Sequence, residues 1–521
     1  MKKLTVLLLV SAILLTLFLA SCGESTDDAS SSTVVDESKP ESNSGEESEE
    51  EKKPLVPHLD PAGGIVDGYT LKVLTCSAGD NYAFTQFVGK VDSDENIEFN
   101  EDPVNLAILE RNNKLEAEYG FRIEVAKSDN DMITRVEEDY MGGIADYQVI
   151  CGGAYRIAPV STAGYLTDIY GIEDSYLNLD EIWWDPVEQK DMSIGHKLYL
   201  ITGDILVSDD EYIKCIYFNK DIVEKYKADP AFKKTPYELV YDNEWTIDAM
   251  YEMIKAVAHD GGDSVMHPDG EDDTWGLVGV AFDTYMLVMG CDAPQVKKDS
   301  DDIPMFAMTD EKNVNAFQKV FDVVTDQQTV AIREKYYSWN DSVGNQKLND
   351  CFYDGRGLFF MREIEGMSSP EIRDLDFHYG ILPYPKYNVE QEHYTSTINP
   401  YGFGVLGISN LIDDDELKQV TFCLEAMAYT NYESVTSEYY IRNLKMKRLS
   451  DDEDSTEMLD LISRNRLIDM SVVFNWNDCI QYYNNLYYKN NNQVESYCQG
   501  ILGAFNAAMN DTIKAFDVLA D

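Results

Sequence analysis

Basic residues are scarce in this chain: 42 Lys and Arg stand against 95 Asp and Glu over 521 residues, a formal net charge of −53. A surface of that sign repels phosphate backbones and anionic lipid, so nucleic-acid binding driven by counterion release has no source here. Catalytic signatures are missing too. The six histidines are dispersed and form no His-Glu-x-x-His, and there is neither a Gly-x-Ser-x-Gly elbow nor a phosphate-binding Gly-x-x-x-x-Gly-Lys loop. The nine cysteines include no Cys-x-x-Cys pair, and no segment repeats at a fixed period, which argues against a solenoid. Carboxylate pairs of the kind used in sugar hydrolysis carry no information in a chain with so many acids. No cofactor, no metal and no nucleic acid are implied.

What is present begins at the first residues. Met1, Lys2 and Lys3 precede an uncharged run from Leu4 to Ala20, and the run ends in Leu19, Ala20, Ser21 and Cys22. A basic end followed by an apolar core is the pattern of a secretory leader. The exit, Leu-Ala-Ser-Cys, resembles the lipobox of bacterial lipoproteins, which implies cleavage before Cys22 and a diacylglyceryl group on its thiol. The sequence after it is almost devoid of apolar residues and rich in Glu, Asp and Ser. Such a stretch buries too little surface to offset its ordering entropy, so it is expected to be a disordered tether. The expected organisation is a signal peptide over 1–21, a lipidated cysteine and acidic tether over 22–65, and a body too long for one small core.

The body alternates strand-like and helix-like segments. "YTLKVLTCS" has strand composition, "NLAILERNNKLEAEYG" is helix-periodic and stopped by Gly120, and "FRIEVA" and "DYQVICGG" are again strands. Strand, helix, strand in sequence predicts a parallel sheet with covering helices. Further on, "YDNEWTIDAMYEMIKAVAHD" predicts an amphipathic helix capped by Thr246 or Asp242, with Met250, Met253, Ile254 and Val257 facing inward. Strands are expected at "RGLFFM", "FHYGILPYP" and "YGFGVLGIS", and a polar turn at Ser208 to Glu211. Many cysteines sit inside apolar runs such as "YQVICGG" and "YIKCIYF" and are expected to pack as free thiols.

Two glycine-rich stretches invite other readings. "GFGVLG", with Gly402, Gly404 and Gly407, matches a dinucleotide fingerprint, but that motif needs its glycines in a strand-to-helix turn, and here they lie within the strand pattern. "DGGDSVMHPDGEDDTWG", over 260–276, resembles an acidic Ca²⁺ loop but lacks the alternating EF-hand spacing; a solvated hairpin is the favoured alternative. Aromatics carry more weight. Tyr82, Tyr155, Trp339, Tyr401 and Trp476 fall in expected loops among Asp, Asn and Gly. Such groups can stack on the CH faces of a sugar while neighbouring polar side chains order its hydroxyls.

In order along the chain, "KLEAEYGFRIEV", "DYQVICGGAYRIAPVSTAGYLTDI", "LYLITGDI…CIYFNKDIVEKY", "TWGL" and "FFMREIEGMSSPEIRDLDFHYGILPYPKY" resemble the family 1 extracellular solute-binding proteins of bacterial ABC importers. The resemblance spans Tyr69 to the C-terminus. It implies an α/β, two-lobed, periplasmic-binding-protein-like (type II) fold with a ligand cleft between the lobes. Lobe 1 would comprise 66–205 and 396–435, and lobe 2 would comprise 206–395 and 436–521. By position, the resemblance places ligand contacts at Asp80, Asn81, Tyr82, Tyr155, Arg156, Ser208, Asp209, Tyr285, Arg362, Glu363 and Trp476; Trp339 and Tyr401 join them as loop aromatics. Maltodextrin-binding members carry a tryptophan where this chain has "REIEG", and the Arg362–Glu363 pair in its place suits an acidic or amino sugar, or another solute. The implied protein is a non-enzymatic, monomeric, lipid-anchored receptor. It takes a small solute, a mono- or oligosaccharide, to ABC permease subunits at the outer face of the cell membrane. A lipid-anchored glycan-degrading enzyme and a peptide receptor on the same fold are the alternatives.

Overall fold

Local signals set the first elements. The strand β1 (Thr70–Cys76) is followed by α1 (Pro103–Tyr119), where the Asp102 carboxylate accepts from the amides of Val104 and Asn105 and Pro103 supplies the first helical φ. Gly120, at φ 79°, ends α1 in the left-handed conformation that other residues adopt only with strain. Then come β2 (Arg122–Ser128), α2 (Met132–Gly142), β3 (Val149–Gly153) and α3 (Ala154–Thr162). The computed structural model describes residues 55–60, 63–76, 86–89, 102–128, 132–144, 146–444 and 452–518. All of these lie in one compact unit, Lys53–Asp521. The leader, the Cys22 lipobox and most of the tether fall outside them, as do Asp80, Asn81 and Tyr82. Among the described residues no helix is long and apolar enough to cross a membrane.

Beyond α3 the chain forms α4 (Pro186–Met192), β4 (Lys214–Asn219), α5 (Ile247–Val257), β5 (Trp275–Gly279), α6 (Asp283–Gly290), β6 (Val330–Ile332), α7 (Ser342–Tyr353), β7 (Gly357–Glu363) and β8 (Tyr379–Leu382). It returns through β9 (Ser396–Thr397), β10 (Gly404–Ile408), α8 (Asp414–Thr430), α9 (Thr436–Leu444), α10 (Glu453–Arg464), β11 (Arg466–Leu467) and the long α11 (Val494–Val518). Two main sheets result among the described residues, ordered β10-β3-β1-β2 and β8-β4-β7-β5-β6, beside two two-stranded pairs, one of them β9-β11. In the first, β1 pairs in parallel with β2 and β3, and β10 runs antiparallel to β3 with Leu406 opposite Cys151. In the second, β5 is parallel to β7 and β6 while β4 runs antiparallel to β7 and β8. Each main sheet is the centre of one lobe, as the type II fold requires.

The predicted amphipathic helix is α5. Thr246 is its cap, its hydroxyl accepting from the Ala249 amide at 3.2 Å, and Met250, Met253, Ile254 and Val257 are all buried. Each such side chain contributes about 1.5–3 kcal/mol by leaving water. Ser208 to Glu211, expected as a turn, is a single helical turn in the segment that crosses between the lobes. The second crossing runs beside it, since Ile213 bridges Ile398. Past β10, α9 packs against α1 beside the first sheet, and α10 packs against β8 of the second.

The first lobe also holds the start of the described chain. Buried Glu425 on α8 accepts from Trp183 Nε1 at 3.1 Å, Trp184 Nε1 at 2.6 Å, the Asn178 amide at 3.0 Å and His58 Nε2 at 2.7 Å. The His58 ring lies against Trp183, centroids 5.7 Å apart. Four donors on one carboxylate offset its desolvation. The seven described cysteine side chains, at 151, 215, 291, 351, 423, 479 and 498, are all buried, in keeping with their reading as small hydrophobes.

Candidate functional site

In α/β sheets ligands bind beyond the carboxyl ends of the strands. In the second lobe those ends carry Phe282 and Asp283 after β5, Glu334 after β6 and Arg362–Glu363 at the end of β7. In the first they carry Tyr155 and Arg156 after β3, with the turn that opens antiparallel β10 at the same end. That turn, Asn399 to Phe403, belongs to the second crossing segment, so both lobes and a connection converge.

A buried charge network forms the floor of the second-lobe side. Lys214, the first residue of β4, places Nζ 2.9 Å from Glu363 Oε1 and 3.3 Å from Asp283 Oδ1. Asn399 Nδ2 donates to Glu363 Oε1 at 2.8 Å, and the Val280 amide donates to Asp283 Oδ2 at 2.8 Å. Burial alone would raise Glu363, but the Lys214 ammonium, the Arg362 guanidinium and these hydrogen bonds bring it down to about 2. Asp283 remains above its ordinary value because burial outweighs the pull of Lys214.

Asn399 also accepts the Tyr401 amide on Oδ1 at 3.1 Å, fixing the turn that presents the Tyr401 ring. That ring lies 5.8 Å from Tyr155 of the first lobe and 5.7 Å from Phe282 of the second, and its hydroxyl accepts from Gln481 Nε2 at 3.0 Å. Tyr155 and Tyr401 are 39% and 46% exposed, so both keep open ring faces. An aromatic group fed by both lobes, with Gln481 at the Tyr401 hydroxyl, can stack an apolar ring face and hydrogen-bond its rim.

The remaining sequence candidates are placed differently. Tyr285 is buried on α6 behind Phe282, ring centroids 5.5 Å apart, and faces Tyr483. Trp476 is 2% exposed; its ring packs between Phe474 and Phe505, and Nε1 donates to Thr512 Oγ1 at 2.9 Å, which makes it core and not a stacking platform. Trp339 is 70% exposed in the loop before α7, and among the described residues no ring contact joins it to the Tyr401 group. Ser208 and Asp209 are buried in the crossing turn, Asp209 beside Arg466 at 3.1 Å. Arg362 lies over the Phe360 ring, and Glu363 is engaged by Lys214 and Asn399, so the pair does not stand open to an ionic ligand.

Sequence reasoning passed over Lys214, Asp283, Asn399, Phe282 and Gln481. A lone lysine inside "YIKCIYF" signals a buried cation in need of partners, and Phe282 in "VAFDT" is, like Tyr155 in "GGAYRIA", an aromatic just beyond a strand end.

The other glycine-rich stretches are structural. "GFGVLG" enters β10, and a Cβ on Gly407 would lie 2.6 Å from Leu166 Cδ1 and 2.9 Å from the Tyr199 carbonyl oxygen, so close chain packing accounts for that glycine. In the 260–276 loop the Asp260, Asp263 and Asp273 carboxylates approach within 4.8 Å of one another. They accept backbone amides of the loop itself: Gly262 and Ser264 on Asp260, Val265 on Asp263, and Gly261 and His267 on Asp273. His259 and Thr274 bridge antiparallel at its base, forming the hairpin.

Two lobes, each on a sheet whose strand ends face a shared site, joined by paired crossing segments, define the class of fold found in ABC substrate-binding proteins. No family model matches the chain, and no curated protein matches it. Solved structures match in number. A cyclo/maltodextrin-binding protein complexed with maltotetraose is 14% identical, with 90% of this chain and 98% of that chain covered, at a TM-score of 0.51. UspC of M. tuberculosis is 11% identical over 86% of this chain and 100% of its own, at 0.50. The substrate-binding protein Lmo0181 from Listeria monocytogenes, in complex with cycloalternan, is 14% identical over 86% and 99%, at 0.48. At these identities the likeness is one of fold.

Proposed function

We propose that this chain is a lipid-anchored, non-enzymatic receptor that captures a carbohydrate outside the cell and delivers it to the permease of an ABC importer. The observation that carries the reading is the Tyr155–Tyr401–Phe282 group, exposed at Tyr155 and Tyr401 and drawn from both lobes and a crossing segment at the carboxyl ends of the strands. A ligand held there touches both lobes, so its binding favours the closed arrangement and excludes water from the stacked rings. The fold supports the reading because a protein of the same fold was solved complexed with maltotetraose. The Leu19–Cys22 motif supports the anchor, and the acidic stretch after it would act as the spacer.

Melting the protein against a panel of neutral, amino and acidic sugars and their oligomers tests this. A cognate ligand at 100 times its dissociation constant stabilises by about 2.7 kcal/mol. Tyr401→Ala and Tyr155→Ala each weaken that ligand by about three- to tenfold, the worth of one aromatic contact. Consumption of the sugar, or stabilisation by peptides and by no sugar, overturns the proposal. The mass of the mature N-terminal peptide tests the anchor: a free Cys22 thiol or an uncleaved leader rules it out.

A further inference from the structure

Where the connections between the lobes meet, one cation is surrounded by four carboxylates. Arg466 of β11 is buried, its side chain 5% exposed. Its Nε lies 2.8 Å from Glu188 Oε1, Nη1 lies 3.0 Å from Asp210 Oδ1, Nη2 lies 3.1 Å from Asp209 Oδ2, and Nη2 also meets Asp185. Asp185 and Glu188 belong to the start of α4, Asp209 and Asp210 to the first crossing segment, and β11 pairs with β9 of the second crossing. The guanidinium therefore ties together three separate stretches of chain.

The charges do not balance. One guanidinium faces four carboxylates, and the groups around them add more acid: Asp191 on α4, with Lys298 beyond it, and Asp204 in the crossing. Tyr440 of α9 donates its hydroxyl to Asp210 Oδ1 at 2.6 Å. Glu188 and Asp209 are the most enclosed, at 0% and 1% exposure. None of their four carboxyl oxygens receives an aligned hydrogen bond, although oxygens of Asp185, Glu188 and Asp209 lie within 4.8 Å of one another. The Glu188 and Asp209 carboxyls are therefore neighbours, with an oxygen of each within 4.8 Å of the other. Two buried carboxylates that share one guanidinium with two further acids repel each other; one proton between them makes one the donor and the other the acceptor.

We propose that Glu188 and Asp209 form a proton-binding site, in which one proton taken from solvent is shared as O–H···O between the two carboxyls and completes the clamp of the connecting segments on Arg466. When the proton returns to solvent, the pair becomes two anions and the clamp loosens. Burial, followed by the charge of Asp210, pushes Glu188 up to about 8, and burial with the Glu188 charge raises Asp209 in the same direction. Because the folded value lies above the unfolded one, the stability this site contributes is complete below about 4.5 and is lost as pH rises through about 8.

Melting the full chain between pH 5 and pH 9, without ligand, tests the site. Glu188→Gln and Asp209→Asn each supply an amide N–H where the shared proton would lie and cannot lose it. Each is therefore expected to fold, to match the parent melting temperature at pH 5 and to exceed it at pH 9. Two results overturn the proposal: variants that melt in parallel with the parent at every pH, or variants that are unfolded at neutral pH. No solute enters this measurement, so its outcome is separate from that of the sugar panel.

Discussion

Replacing Lys214 by methionine removes the cation from the floor of the site while keeping most of the volume of its stem. Asp283, fully buried, and Glu363, with a side chain 16% exposed, then lose their counter-ion. Breaking a buried pair costs about 3–5 kcal/mol. The lower end applies here, because the Val280 amide still donates to Asp283 and Asn399 still donates to Glu363. At ~2.1 cal/mol/K of unfolding entropy per residue, the roughly 470 residues from Lys53 onward unfold with about 1 kcal/mol/K, so the loss lowers the melting temperature by about 3 °C at pH 7. The pH dependence is the sharper check. In the parent, Glu363 has a depressed value near 2, so its stabilisation holds above about 4.5 and fades only as pH falls toward 2. In the variant both carboxyls are raised, so the variant gains stability relative to the parent as pH falls from 7 to 5. Calorimetry at both pH values reads the gap between the two proteins. A gap under 1 °C at pH 7, or one that does not narrow at pH 5, refutes the assignment of Lys214 as counter-ion.

Trp476→Phe loses a hydrogen bond and leaves a small cavity, so urea unfolding should show a loss of about 1–3 kcal/mol with unchanged sugar affinity. A drop in affinity without a loss of stability would return Trp476 to the ligand site. Gly407→Ala drives a Cβ to 2.9 Å from the Tyr199 carbonyl and should destabilise by about 1–3 kcal/mol, read as a lower melting temperature; an unchanged value refutes the packing explanation for that glycine. In a thiol-reagent titration, the buried cysteines at 215, 291, 351, 423, 479 and 498 should react only after denaturation, without prior reduction; their rapid reaction in the native protein, or a need for reductant, contradicts their burial as free thiols.

Local chemistry made much of the fold legible. Gly120 marks the end of α1 where the sequence placed its stop, and the inward face of α5 follows from period 3.6 alone. The rejection of "GFGVLG" as a nucleotide loop follows from strand patterning. What could not be read is what depends on distant pairing. Trp476 looks like a loop aromatic in "VFNWND" because its partners, Phe505 and Thr512, arrive from α11 about thirty residues on. Nothing near Arg466 in "SRNRLID" announces four carboxylates, since they come from segments more than 250 residues earlier. Tyr155 and Tyr401 could be nominated singly, but only the antiparallel pairing of β10 with β3 brings them side by side.

The Glu425 node has a mechanical meaning. A pull along the chain that precedes Leu55 is received by His58 and passed through Glu425 to α8 and the Trp183–Trp184 pair, all in the first lobe. The second lobe lies off this load path, connected through the crossing segments and the C-terminal region. Under the proposed anchor at Cys22, tension on the N-terminal chain would therefore load the first lobe and leave the second outside its path.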